Sequence, residues 1–293
     1  MTRVVAALRA LILGALLLTI ALAACDGDDP AAGGTGNGFA AGSTMERLNK
    51  AQEIRVGTKF DQPGFGLKGA DGVPAGFDVE IAKLVVKALG IPADKIVWVE
   101  TPSNIREQAI REDKADIVVA TYTINEERKK LVSFAGPYYL AGQSLLVKAD
   151  DNSITGPDSL RNGTVRVCSA SNSTAASNIE EFLTEKSEQL VLYNTYQKCV
   201  DALKAGEIDA VTTDNVILSG FVSVNDGAFK LAGPTFTREP YGIGLAKDDK
   251  VFRDFINDVL ETAFQDGSYQ DAWKKTAGKF DTTELKIPAV ERY

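Results

Sequence analysis

Asp116-Ile117-Val118-Val119-Ala120-Thr121-Tyr122-Thr123-Ile124-Asn125-Glu126-Glu127-Arg128 runs from an apolar, β-branched segment into a short charged one. The first five residues read as a buried strand. The two threonines then emerge at its end, where period-two alternation points both hydroxyls the same way. Arg128 follows one short helix turn later. A guanidinium is a planar fork that meets a carboxylate with two parallel charge-assisted hydrogen bonds, and hydroxyls and strand-end amides complete such a shell. Thr121, Thr123 and Arg128 are therefore candidate ligands for a free carboxylate. The alternative is a solvated patch of Arg128 with Glu126, Glu127, Lys129 and Lys130. The strand, the paired threonines and the Ser133-Phe134-Ala135-Gly136-Pro137-Tyr138-Tyr139 tail weigh against it.

Outward from this stretch, short β-branched runs alternate with helical patterns, as in chains whose parallel sheets are covered by helices. Strands are predicted at Glu53 to Gly57, Ile96 to Val99, Asp116 to Ala120, Thr164 to Cys168, Gln189 to Tyr193 and Asp209 to Thr213. Helices are predicted at Phe77 to Leu89, Ser103 to Glu112, Thr174 to Leu183, Thr195 to Ala205, Asp214 to Val222, Phe252 to Phe264 and Tyr269 to Lys275. Phe77, Ile81, Leu84, Val85, Ala88 and Leu89 fall on one side of the first of these, so that block reads as mainly structural. Gln143 to Lys148 and Tyr241 to Lys247 read as crossing strands between an α/β first lobe (45–145 and 243–293) and a second (146–242).

The 293 residues carry a formal charge of -8, three cysteines and no histidine. Net acidity with no basic cluster argues against nucleic acid or an anionic membrane face as partner. Without histidine, enzyme and metal readings lose weight, and no metal or cofactor is expected. Arg3 and Arg9 precede an uncharged apolar run from Ala10 to Ala24, the pattern of a secretory signal over residues 1–24. Asp26 to Thr44 contains six glycines in nineteen residues. It reads, with Cys25, as a flexible tether over 25–44, reaching about 20 to 25 Å. Cys168 ends a predicted strand and Cys199 lies in a helix that should pack beside it. A bridge between them is expected in an exported chain, two buried free thiols being the alternative.

Several blocks carry a family resemblance. Leu22-Ala23-Ala24-Cys25 resembles the lipobox of bacterial lipoproteins, which implies lipidation of Cys25 and attachment to the outer face of the cytoplasmic membrane by the lipid alone. Gly57-Thr58-Lys59-Phe60-Asp61-Gln62-Pro63-Gly64-Phe65-Gly66, Gly76-Phe77-Asp78-Val79-Glu80-Ile81-Ala82 and Asp209-Ala210-Val211-Thr212-Thr213-Asp214, together with the opening stretch, resemble the amino-acid-binding (family 3) extracytoplasmic solute-binding proteins of ABC importers, most closely the glutamate and glutamine branch. The resemblance spans about Ile54 to about Gly278. It implies a two-lobed, type II periplasmic-binding-protein-like fold, each lobe a mostly parallel sheet flanked by helices, with two hinge strands. A free amino acid in the cleft, an ABC permease as partner and a monomer follow from it.

A free amino acid carries two fixed charges, so its site needs a carboxylate clamp and an ammonium clamp. Ser171-Asn172-Ser173-Thr174 opens a helix in the second lobe, and Ser173 and Thr174 are candidate donors to the carboxylate held by Arg128. Helix capping is their alternative. The branch commonly has glycine where Asn172 stands. Asp214 follows a strand; the resemblance makes it the counter-ion of the ammonium group, and an N-cap is the alternative. Lys59 and Arg106 match positions where binders of acidic amino acids carry basic residues, and two such cations would pair with a side-chain carboxylate. Solvated surface cations are the alternative for both. Ser103 and Gln62 add neutral hydrogen bonds, and Phe60, Phe65 and Tyr122 are candidate aromatic walls. Glutamate is the expected ligand, with aspartate or glutamine also considered. An extracytoplasmic dehydratase-like enzyme and a sensor reporting to a membrane partner are the competing functions.

Overall fold

The computed structural model describes residues 38–281 and 284–293. The signal, Cys25 and most of the expected tether lie outside them. At the tether's end, Phe39 packs edge-on against Phe255, and Ser43 caps the helix Thr44–Ala51 by accepting the Glu46 N–H. The described structure thus includes the end of the expected tether, before residue 45.

The strands are β1 (Ile54–Thr58), β2 (Asp61–Gln62), β3 (Gly66–Lys68), β4 (Pro74–Ala75), β5 (Ile96–Glu100), β6 (Ile117–Val118), β7 (Ser133–Ala141), β8 (Gln143–Lys148), β9 (Val167–Ala170), β10 (Leu190–Tyr193), β11 (Ala210–Asp214), β12 (Phe229–Ala232) and β13 (Glu239–Leu245). The first sheet has the order β5-β1-β6-β13-β7 and the second β10-β9-β11-β8-β12. In each, three adjacent strands run parallel, the fourth runs against them, and the fifth pairs antiparallel with the fourth and so points the same way as the first three. β2, β3 and β4 make a small antiparallel sheet.

Period-two alternation builds the layers. In β8, Leu145 and Val147 face one apolar cluster and Leu146 the other, so helices cover both faces of the second sheet. Along the helix Lys250–Asp266, Phe252, Ile256, Leu260 and Ala263 recur at helical spacing and enter the first-sheet core, as do Phe77, Ile81 and Val85 of the helix Phe77–Ala88. Cys168 of β9 and Cys199 of the helix Tyr196–Ala205 form the expected disulfide, with Cα atoms 5.5 Å apart.

Three differences from the sequence reading matter for the site. The strand expected at Asp116 to Ala120 is regular only over Ile117–Val118. The chain crosses between sheets at Gly142 and at residues 233–238, beside the two strands named as crossings: β8 belongs wholly to the second sheet and β13 to the first. The crossings touch, with Gln143 N donating to Thr237 Oγ1 at 3.0 Å and a Cβ on Gly142 falling 2.8 Å from Thr235 Cβ. Finally, the tail Ser133 to Tyr139 belongs to the nine-residue strand β7. Pro137 fits there because β7 is an edge strand, where a missing N–H leaves one flank undisturbed.

Candidate functional site

Parallel strands bring the segments after their C-terminal ends together. On the first sheet these are Lys59 after β1, Thr101 to Ser103 after β5 and Thr121 to Thr123 after β6; on the second, Ser171 to Thr174 follow β9 and Asp214 ends β11. Such strand ends are where open α/β sheets bind ligands. All ten candidate ligand residues are described, and nine are buried: Thr174 alone is partly exposed.

Three cations cluster on the first-sheet side. Lys59, 2% exposed, donates Nζ to Ser103 Oγ at 2.9 Å, and its ammonium lies 5.8 Å from the centre of the Tyr196 ring. Arg106 begins the helix Arg106–Arg111 and donates Nη1 to the Ala120 carbonyl at 2.8 Å, while its buried Nε has no partner among the described residues. Its guanidinium stands 4.2 Å from the centre of the Tyr122 ring, and that of Arg128 stands 5.1 Å from the same centre. An aromatic face and carbonyl dipoles stabilise cations that burial would otherwise disfavour. Burial and then the Arg106 charge bring the Lys59 pKa down to about 7. The same two causes bring Arg128 down to about 10.

Arg128 sits in the short helix Glu126–Lys129, which Asn125 caps by accepting the Arg128 N–H at 2.9 Å. Its Nη1 donates to Thr123 O at 2.7 Å, its Nε lies 3.3 Å from Glu107 Oε1, and its Nη2 reaches Asn172 O in the second-sheet half at 3.4 Å. Asn172 has φ 60, the left-handed region that asparagine tolerates better than most residues and glycine best.

Alternation does not orient Thr121 and Thr123. The strand has ended, and Thr121 has φ 47, rare for a β-branched residue. Its N–H donates to Asp78 Oδ2 at 2.8 Å. Its hydroxyl lies 2.7 Å from Ala120 O and 3.1 Å from Gln62 Oε1. Asp78 also accepts the Tyr138 hydroxyl at 2.6 Å, and burial, the largest influence, brings its pKa up to about 6. The block read as mainly structural therefore supplies the carboxylate that fixes Thr121. Thr123 Oγ1 points elsewhere, to Thr174 Oγ1 at 3.4 Å across the two halves.

On the second-sheet side, Ser173 caps the helix Thr174–Ile179 through Ala176 N at 3.0 Å, so the capping alternative describes its geometry. Asp214 precedes the helix Asn215–Ser223 but makes no side-chain cap bond; its Oδ2 accepts the Tyr241 hydroxyl at 2.5 Å instead. Burial and then the Glu239 charge bring its pKa up to about 7.

Glu107, Tyr196 and Tyr241 are absent from the sequence-based site. Glu107 is adjacent to Arg106 but carries no signal of its own, and Tyr196 and Tyr241 read simply as core aromatics. Phe65 is a core residue rather than a wall, with its ring 6.1 Å from Phe77. A cleft of about 590 Å3 opens over the cluster, lined by Glu107, Arg111, Asn125, Arg128, Asn172 and Thr174 among others. Of the ten candidate ligand residues, Arg128, Ser173 and Thr174 line it, while Lys59, Arg106 and Asp214 do not. Among the described residues no group of histidine, cysteine and acidic side chains is arranged to hold a metal, and no helix is long and apolar enough to cross a membrane.

Residues 54–279 match the family model described as bacterial extracellular solute-binding proteins, family 3. Glutamate-binding protein GluB of Corynebacterium glutamicum is 40% identical over 92% of this chain and 90% of its own length. A glutamine-binding protein of Geobacillus stearothermophilus is 38% identical over 80% of this chain and 90% of its own. Among solved structures, an ancestral arginine-binding protein bound to glutamine superposes with a TM-score of 0.71 at 33% identity, covering 77% of this chain and 97% of that one. An ancestral amino acid-binding protein described as a precursor of cyclohexadienyl dehydratase gives 0.72 at 29% identity, covering 82% and 100%.

Proposed function

We propose that this chain, which belongs to the bacterial extracellular solute-binding proteins of family 3, captures a free polar amino acid, L-glutamate first and aspartate or glutamine after it, between its two sheets and delivers it to an ABC permease. Residues 45–145 with 243–293 and residues 146–242 are the two lobes, hinged at Gly142 and 233–238. Arg128, Thr123 and Thr174 hold the α-carboxylate, with Thr121 and Ser173 shaping the same wall. Asp214 holds the ammonium group, and Lys59 and Arg106, supported by Ser103 and Gln62, hold the side-chain carboxylate. Cys25 carries the lipid that anchors a monomer outside the cytoplasmic membrane.

The observation that carries the ligand class is Lys59. Its ammonium is buried against a neutral hydroxyl and an aromatic ring, without a salt-bridged carboxylate from the described residues. A ligand carboxylate between Lys59 and Arg106 would match that charge, whereas a cationic side chain there would meet repulsion. The glutamate- and glutamine-binding relatives support the reading.

Calorimetric titration with the twenty amino acids tests it. Glutamate should bind tightest and be recovered unchanged, and Arg128→Ala should abolish binding. Tight binding of arginine or histidine with none of glutamate or glutamine would overturn the ligand assignment. Conversion of the ligand would favour the dehydratase-like alternative.

A further inference from the structure

We propose that Asp61 and Gly220 are positioning residues of a clasp, not touching the bound ligand, that holds the two halves in their closed arrangement. The proposal rests on the reading that the halves move as lobes. The small sheet β2-β3-β4 is fixed to the first half: Phe77 N donates to Gly64 O at 2.7 Å, Asp78 N donates to Phe65 O at 3.2 Å, and the Phe65 ring lies in the first-sheet core. From that base, the turn Asp61-Gln62-Pro63 reaches the second half at two points.

At the first point, Asp61 Oδ2 accepts the Gln197 N–H at 3.3 Å. Gln197 is the second residue of the helix Tyr196–Ala205, whose own cap, Thr195, bonds the Lys198 N–H. Asp61 therefore satisfies a helix-start donor that Thr195 leaves unpaired, and a carboxylate there also meets the positive end of the helix dipole. At the second point, Gly220 lies inside the helix Asn215–Ser223. A Cβ there would stand 2.4 Å from Pro63 O. Glycine weakens a helix interior relative to alanine, so the local sequence gains nothing from it. What it permits is the approach of Pro63.

Both points sit beside the ligand cluster. Tyr196, whose ring faces Lys59, starts the first helix, and Asp214 immediately precedes the second. Holding these helices against the Asp61-Gln62-Pro63 turn sets the closed spacing between Asp214 and the cations opposite, without contact to ligand.

Spin labels on the exposed positions Lys114 and Lys186 of the full chain, introduced by Lys114→Cys and Lys186→Cys with the native disulfide kept oxidised, read the distance between halves with and without saturating L-glutamate. In Gly220→Ala, the short-distance population should fall, ligand-free Tm should stay level or rise, and Kd for glutamate and glutamine should each rise about tenfold. Asp61→Asn should lower the short-distance population as well and weaken both ligands by about threefold. An unchanged distance distribution in Gly220→Ala overturns the proposal, whatever Tm does. An unchanged short-distance population in Asp61→Asn overturns it too. If the wild type binds neither amino acid, the functional reading fails, and the distance distribution still decides the clasp.

Discussion

The Tyr241 hydroxyl of β13 donates to the Asp214 carboxylate that ends β11, a 2.5 Å bond joining a strand of the first sheet to one of the second. It binds the carboxylate assigned to the ligand's ammonium to the strand by which the chain returns to the first sheet. Because a hydrogen bond to the charged form favours ionisation, Tyr241 opposes the burial and the Glu239 charge that raise the Asp214 pKa. Tyr241→Phe should therefore raise that pKa further, leave Asp214 protonated over a wider range and weaken amino-acid binding at pH 7 by about tenfold. Asp214→Asn should weaken it at least about a hundredfold. Equal affinities in Tyr241→Phe and wild type, measured by calorimetry at pH 7, would contradict this role.

Two groups with opposite requirements make binding depend on pH. The ammonium of the ligand needs Asp214 ionised, a condition met above its pKa of about 7 and lost as pH falls through it. The side-chain carboxylate needs Lys59 protonated, a condition met below about 7 and lost as pH rises. Glutamate affinity should accordingly peak near pH 7 and decline on both sides. Lys59→Met should remove the alkaline limb and keep the acid limb. A flat profile from pH 5 to 9 in the wild type would refute the assignment of both groups.

Asp78 should matter for stability before it matters for ligand. Its carboxylate accepts both the Thr121 N–H and the Tyr138 hydroxyl in a fully buried setting. Asp78→Ala leaves both donors unpaired and should cost about 2 to 5 kcal/mol, read as a lower midpoint in denaturant titration. Thr121, released from its left-handed conformation, should then bind ligand less well even where the variant folds. A variant as stable as wild type would show that the buried pair is not what holds the turn.

Legibility in the sequence followed the kind of signal each residue carries. β1, β5 and β11 announce themselves by β-branched runs, β10 by an apolar one and the helix Lys250–Asp266 by its spacing, whereas β9 starts at Val167, three residues beyond the expected Thr164. Lys59, Arg106, Arg128 and Asp214 became candidates because each stands beside a strand end or at a position that the family resemblance singles out, whereas the burial of Lys59 and Arg106, against their solvated alternative, came only with the structure. Asp78 was not, since an acidic residue in the first turn of a helix is ordinary, and only tertiary packing turns its carboxylate inward to Thr121. The Thr121 conformation was equally hidden: a β-branched residue argues for continued strand, and the bond from Asp78 overrides that preference. Asn172 takes a φ of 60, a left-handed conformation that asparagine tolerates and that its identity alone did not announce.

The most direct test of the central claim is the calorimetric ratio of glutamate to glutamine affinity in wild type and in Lys59→Met. The predicted result is a wild-type preference for glutamate that falls by about 10- to 100-fold in the variant, while Arg128 and Asp214 continue to hold the amino-acid backbone in both. An unchanged ratio, or a wild type that prefers a cationic amino acid, would contradict the assignment of Lys59 to the side-chain carboxylate.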